Sequence, residues 1–432
     1  MLRYAKFFVW CTLGVFLSSC STIVPNSGSN NRVTANFISN YLVEGQLPPP
    51  QSIKSLQLYR KGSANNPPII SLNSRQKLVL SFDELSDLSG QFRITFSHHN
   101  QNWEQSNIPE NWFLGGMNEL ILGGGTKNRL SEPDYFNYSI EFPNDQLEFL
   151  TSGNFMLHVS DFSSGVRLFS VPFYVTENEG EMTSWVETAF NAGPRNSAID
   201  QPYSNFKYPD FVEFPQFDLS FFFTQNRFWG KTKETKAFDV ATPGETQYYL
   251  PRDEGFAANF DFIGLNLSNF SQGGKIIEWR PEFTPPKAVL REDVLNFTAD
   301  PMPNWSSNFG VPKSGRDARY ANVRFRFEDG GEFSSSTGVY LVGDFNQWLL
   351  SENYKLSYNQ ESGYWETSVL IKEGTYTYKY ALKAYGDEVD DVTLSDSITR
   401  REQEYVSFVY YKDPDYQYQR LLFTQVFYSG DN

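Results

Sequence analysis

Lys77-Leu78-Val79-Leu80-Ser81-Phe82 and, one loop later, Gln91-Phe92-Arg93-Ile94-Thr95-Phe96 decide the fold class. Both runs alternate apolar and polar side chains residue by residue, the period of a strand with one buried face. The same pattern extends outward on either side. Ile53 to Leu58 and Ile69 to Leu72 precede these runs, and Tyr138 to Phe142, Asn154 to Val159 and Leu168 to Val175 follow them. About seven short strands separated by turn signals predict a β-sandwich over residues 51–178.

Two further units follow. The first, 182–312, holds the strand-like runs Phe217 to Phe223, Tyr248 to Leu250, Phe260 to Ile263 and Lys287 to Leu290. The second, 318–428, holds Ala321 to Phe327, Gly338 to Val342, Tyr364 to Leu370, Tyr376 to Tyr380 and Tyr405 to Tyr411. Only Thr183 to Asn191 carries a hint of helical period. Aromatic residues make up 17% of the chain and charged residues only 20%, a composition suited to pleated, half-buried surfaces. The fold class is therefore all-β, with tandem β-sandwich domains.

The N-terminus reads differently. Met1 to Lys6 is short and basic, Phe7 to Leu17 is an apolar run too short to span a bilayer, and Leu17-Ser18-Ser19-Cys20 follows. This resembles a bacterial lipobox, which implies a lipoprotein signal peptide over 1–19 and lipidation of Cys20. Residues 20–50 are polar, carry Pro48-Pro49-Pro50, and read as a flexible tether. The second mature position holds no Asp and no acidic run follows, so the expected address is the periplasmic face of the outer membrane, at its inner leaflet. Cys11 and Cys20 are the sequence's two cysteines, so a body beyond Cys20 has neither thiol nor disulfide and relies on its cores.

The 36 basic residues stand against 51 acidic ones, a formal charge of −15 that repels nucleic-acid phosphates. No catalytic, cofactor-binding or metal-binding motif stands out. His98 and His99 are adjacent on a strand end and point to opposite faces, so they do not share a metal. His158 sits in an alternating strand. Gly123-Gly124-Gly125-Thr126-Lys127 lacks phosphate-loop spacing and reads as a turn, and Asp83-Glu84 and Asp390-Asp391 read as turn-associated carboxylates.

The sharpest local signal is Gly343-Asp344-Phe345-Asn346-Gln347-Trp348, followed by Tyr364-Trp365-Glu366-Thr367 and Lys372-Glu373-Gly374-Thr375-Tyr376. It resembles the glycogen-binding module of branching enzymes and of the AMP-activated kinase β subunit, which implies an immunoglobulin-like fold. Trp348 and Trp365 are then either ligand or packing aromatics, and the loop at Ala384 to Asp391 does not match the glucan modules.

Across residues 50 to 428 the chain resembles the plug protein of the Bacteroidota type IX secretion system. The resemblance is carried by Ile53 to Leu58, Leu78 to Leu85, Ser97-His98-His99-Asn100-Gln101-Asn102-Trp103, Ser152 to Phe155, Gln225-Asn226-Arg227-Phe228, Gly255 to Phe262, Glu404 to Tyr411 and Tyr418 to Leu422. It implies a non-catalytic subunit that closes the periplasmic mouth of a large outer-membrane β-barrel translocon. A glucan-binding lipoprotein using the C-terminal module is the alternative.

Overall fold

The computed structural model describes residues 41–129, 133–190, 198–240, 242–258, 262–294, 311–313, 317–331, 333–334, 337–383, 389–390, 394, 402–416 and 418–430. Strands dominate. The α-helices among the described residues, Glu110–Phe113 and Pro215–Asp218, have four residues each. Thr183 to Asn191, where the sequence hinted at helix, lies largely in the strand Glu181–Ala189, whose partner Ile199–Lys207 pairs with it along its full length. Tertiary pairing overrides a weak local period there.

The strands stack into three sandwiches. In the first, a sheet ordered Ile53–Arg60, Leu78–Glu84, Phe136–Phe142, Thr126–Lys127 faces a sheet ordered Ile69–Ser71, Arg167–Thr176, Gly153–Asp161, Phe92–His99, Glu119–Leu122. Their inner faces meet in a core that includes Leu78, Leu80, Phe82, Phe92, Ile94, Phe155, Phe169 and Phe173. The runs that decide the fold class thus sit on facing sheets of one sandwich.

The middle sandwich is not built from consecutive residues. One of its sheets contains Glu181–Ala189, Ile199–Lys207, Glu245–Tyr249, Phe238–Asp239 and Phe256–Ala257. The other is ordered Lys233–Thr235, Leu219–Gln225, Glu404–Lys412, Gln419–Tyr428, so the last two strands of the chain complete the middle unit. Conversely, Ile263–Asn266, Ile276–Arg280, Lys287–Leu290 and Asp293–Val294 join sheets built around Tyr320–Glu328, Tyr364–Lys372 and Gly374–Lys383 to form the third sandwich. Strand pairing therefore runs across the expected boundaries at 312 and 318. The physical reason lies in Glu404–Lys412, of which only Lys412 is exposed. A strand buried on both faces needs a sheet on one side and a second body on the other.

Its alternation shows both neighbours. Tyr405, Val409 and Tyr411 enter the middle core with Phe221, Phe223 and Tyr248, and Ser407 Oγ lies 2.6 Å from the Tyr248 hydroxyl. Val406, Phe408 and Tyr410 face the other way, onto Ile69, Met156 and Tyr174 of the first sandwich. The Tyr410 hydroxyl donates to Asn154 Oδ1 at 2.6 Å. Phe408 is fully buried and lies 4.9 Å from the Tyr174 ring. Phe408→Ala is expected to cost about 3–5 kcal/mol in chemical denaturation, and to expose the linker after Thr176 to limited proteolysis.

Candidate functional site

Both aromatics singled out in the sequence, Trp348 and Trp365, are buried. Trp365 is fully buried in the third core beside Leu356, Phe327 and Tyr380, with the Tyr358 ring 5.4 Å away. Trp348 lies at the meeting point of the three sandwiches, its ring 5.1 Å from Phe262, 5.2 Å from Phe228 and 6.2 Å from Tyr41. Only 9% of it is exposed, so its faces do not form an open platform for a sugar. The motif around it is a folded corner. Gln347 and Trp348 both adopt left-handed backbone (φ 56° and 59°), which swings the indole inward. Asp344 accepts from the Trp348 indole N–H (3.1 Å), from the Thr377 amide (2.6 Å) and from its hydroxyl (2.8 Å). Asn346 accepts from the Gly343 amide at 2.9 Å and donates to Leu341 O at 3.0 Å. Gln347 then reaches across to donate to Leu56 O of the first sandwich at 3.0 Å.

A cleft of about 200 Å³ opens at the same junction, lined in part by Tyr41, Asn66, Pro172, Arg227, Trp229 and Trp348. From residues 41–50, read from sequence as the end of the tether, Tyr41, Leu42 and Gln46 line it. Tyr41 and Val43 are buried, the Tyr41 ring sits 4.7 Å from Phe228, and the Lys231 ammonium lies 4.4 Å over it. The Leu47 amide donates to Ser170 Oγ (2.7 Å), and the Ser170 amide returns the bond to Leu47 O (2.8 Å). The Gly230 amide donates to Tyr41 O (3.1 Å), and a Cβ on Gly230 would overlap Leu42 O, so the strap passes only where that side chain is absent. Cys20 lies outside the described residues.

Between the first and third sandwiches lies a buried charge pair that sequence reasoning missed. Asp83 is not in a turn: it is the sixth residue of the strand Leu78–Glu84 and fully buried. Its carboxylate accepts from Lys372 Nζ (2.7 Å), the Tyr320 hydroxyl (2.6 Å) and Asn137 Nδ2 (2.7 Å). The Lys372 ammonium also lies 4.7 Å from the Tyr135 ring, whose hydroxyl donates to Ala318 O at 2.8 Å. Burial, then the Asp83 charge, pushes the Tyr320 hydroxyl well above its ordinary pKa and keeps it a donor. Between the middle unit's own strands, Arg227 forks onto the buried Glu404 through two bonds of 2.6 and 2.7 Å. Asn226 Nδ2 donates to Gln403 Oε1 at 2.6 Å beside it. The Gln225-Asn226-Arg227-Phe228 motif therefore serves to receive the returning C-terminal strand.

The histidines fall on opposite faces, as the alternation predicts. His98 Nε2 donates to Ser152 O (3.0 Å) and Nδ1 lies 2.8 Å from Ser106 Oγ, with Gly153 packed so closely that a Cβ there would strike the ring. On the other face Ser97 Oγ bridges His99 Nε2 (2.8 Å) and His158 Nε2 (2.7 Å). Burial lowers all three, His98 to about 4 and His158 to about 3, the latter helped by Arg167. Among the described residues no group of three His, Cys, Asp or Glu side chains is arranged to hold a metal ion. Gly123 to Gly125 forms a loop into the short exposed strand Thr126–Lys127.

Two measurements test these buried groups. Lys372→Met alone strands the Asp83 carboxylate and is expected to cost about 3–5 kcal/mol in denaturant titration, whereas the Asp83→Leu/Lys372→Met double variant regains most of it. The histidines have folded pKa values below the free value of about 6.5, so the unfolded chain binds their protons first. Their contribution is fully present above about pH 6.5 and is lost as pH falls through 4 toward 3. With two of them titrating, the steepest loss is about 2–3 kcal/mol per pH unit, and His158→Gln is expected to flatten that slope.

Residues 53–177 match the family model described as the type 9 secretion system plug protein 1st domain. A crystal structure of a hypothetical protein from Parabacteroides merdae shares the fold: TM-score 0.79 at 22% identity, covering 89% of this chain and 99% of that one. The C-terminal domain of the Streptococcus pyogenes antigen I/II-family protein AspA aligns with a TM-score of 0.17 at 8% identity, over 86% of this chain and 99% of that one. No curated protein matches the chain. The first sandwich, Ile53 through Thr176, coincides with the matched domain, so this part of the chain is similar to the first domain of the type 9 secretion system plug protein.

Proposed function

We propose that this chain is the non-catalytic subunit that closes the periplasmic mouth of the type IX translocon, a very large outer-membrane β-barrel, when no cargo is engaged. The match of residues 53–177 to the plug protein first domain carries this reading. The build of the body supports it. A stopper needs a broad rigid surface and no reacting groups, and residues 36–432 cluster as one compact unit whose three sandwiches meet through buried contacts. A formal charge of −15 suits reversible docking, because polar interfaces release more readily than apolar ones.

The lipid on Cys20 belongs to the same proposal, as an anchor to the inner leaflet of the outer membrane. About 20 residues separate Cys20 from the packed Tyr41, a reach on the order of 70 Å if fully extended. A released plug would stay concentrated near the pore. The glucan-binding alternative loses support from the covered position of Trp348.

Deleting the gene in a strain with an intact translocon is expected to make the outer membrane permeable to large antibiotics. The tagged chain is expected to co-purify with the barrel. Unchanged permeability together with no retained barrel would overturn the plug reading. Cys20→Ala is expected to release the protein into the soluble periplasmic fraction of cells lacking the barrel, and continued membrane association there would refute the anchor.

A further inference from the structure

Tyr208-Pro209-Asp210-Phe211-Val212-Glu213-Phe214-Pro215-Gln216-Phe217-Asp218 connects the strands Ile199–Lys207 and Leu219–Gln225 of the middle sandwich. Three phenylalanines in this one loop face solvent: Phe211 is 42% exposed, Phe214 55% and Phe217 76%. Solvent exposure of three large rings within seven residues is costly unless something covers them.

The loop is held from below. Val212 is buried in the middle core, and its amide donates to Pro209 O at 3.0 Å. The Phe211 ring lies 5.5 Å from Tyr411, and the Arg420 guanidinium sits 4.9 Å over it. The Phe217 amide donates to Phe214 O at 2.9 Å, closing the turn that carries both rings. Presenting these rings therefore requires no further ordering of the loop.

Every charged residue in the loop is acidic: Asp210, Glu213 and Asp218. Asp415 adds to them from the turn that follows the strand Glu404–Lys412, where Tyr416 is also exposed, whereas Asp413 is buried and paired with Arg420. Burial first, and then the Asp413, Asp218 and Glu213 charges, push the Tyr411 hydroxyl upward against the lowering effect of Arg420. Arg420 is already committed to Glu177 and Asp413, each at 2.6 Å.

We infer that the Phe211–Phe217 loop is the anchor by which this body seats on the translocon's periplasmic rim, in an apolar groove bordered by Lys and Arg. The assignment rests on the plug reading above. The charge pattern selects this occupant. A lipid surface favours aromatics flanked by basic residues, whereas acids beside the rings would meet anionic headgroups. A two-fold pairing of this loop with itself would bring its acids face to face. A basic-rimmed protein groove satisfies both features, with buried aromatics supplying affinity and the acidic rim supplying orientation and association rate.

The test uses the full tagged chain in three forms: wild type, Phe214→Ser/Phe217→Ser and Glu213→Lys/Asp218→Lys. Each is expressed with the barrel and captured after detergent extraction. Both double variants are expected to retain about tenfold less barrel or lower, with melting temperatures little changed because Phe214, Phe217 and Glu213 are exposed and Asp218 is half-buried. The wild-type interaction is expected to weaken as salt rises, and the charge reversal to remove that dependence. Equal retention by all three forms overturns the loop assignment while leaving the plug reading intact. No barrel retained by the wild type overturns the plug reading, and the assignment falls with it. Flotation on phosphatidylethanolamine/phosphatidylglycerol vesicles, or dimerisation in sedimentation, that is abolished by the serine variant would also overturn it, in favour of the leaflet or a second copy.

Discussion

Burial of the strand Glu404–Lys412 on both of its faces governs how the rest of the chain is arranged. An antiparallel strand usually has one face in a core and the other in water. Here the odd-numbered Tyr405, Ser407, Val409 and Tyr411 serve the middle sandwich, and the even-numbered Val406, Phe408 and Tyr410 serve the first. Neither set has a place until both bodies are present. The middle sheet is completed by residues from the far end of the chain, so it cannot exist as a separable segment of consecutive residues. The first and middle units are thereby fused through a shared strand rather than joined by a flexible linker. Thr176 and the residues after it reinforce this, with the Glu177 and Glu179 amides donating to Leu421 O and Leu422 O at 2.9 Å.

The seam between the first and third sandwiches works by a different force. Asp83, Lys372, Tyr320 and Asn137 form a hydrogen-bonded knot in which both charges are excluded from water. Such a pair adds little net stability compared with an apolar replacement, but its geometry admits few alternatives. A greasy seam would tolerate sliding by a residue, whereas a 2.7 Å ammonium–carboxylate contact does not. The apolar seam supplies free energy and the charged seam supplies register. Gln347, reaching from the corner beneath Trp348 to Leu56 O, fixes the third sandwich at a second point.

The fold class was legible because strand alternation is local: each residue's neighbours at i±2 carry the signal. The partners of Glu404–Lys412 were not legible, because Glu-Tyr-Val-Ser-Phe-Val-Tyr-Tyr does not say which body covers its second face. Nearly every side chain in it is apolar or aromatic on both parities, which is itself the mark of double burial, although it does not name the second body. Asp83 escaped detection for a related reason. A carboxylate beside Glu84 reads as the polar end of a strand, and its partner lies 289 residues away. The corner motif at 343–348 was conspicuous as sequence, yet its polar residues bond one another and its Trp turns inward, so a signal that suggested ligand binding describes a hinge-free joint. The end of the Phe211–Phe217 loop is masked in the sequence, because the apolar spacing from Phe217 continues into the strand Leu219–Gln225 without a break.

The N-terminal strap joins these constraints to the proposed anchor. Force on a tether attached to Cys20 would enter the described body at Tyr41, whose ring touches Phe228 of the middle unit and Trp348 of the third, while Leu47 is bonded to Ser170 of the first. Load applied there is distributed to all three sandwiches at once. Attachment to a single sandwich would instead set one seam against the others, and the charged seam, which supplies register more than free energy, would be the first to open. Placing the strap at the triple junction would let the proposed lipid hold the whole body back without prying its parts apart. The proposed stopper, which would leave a pore and return to it unaltered, would need that property.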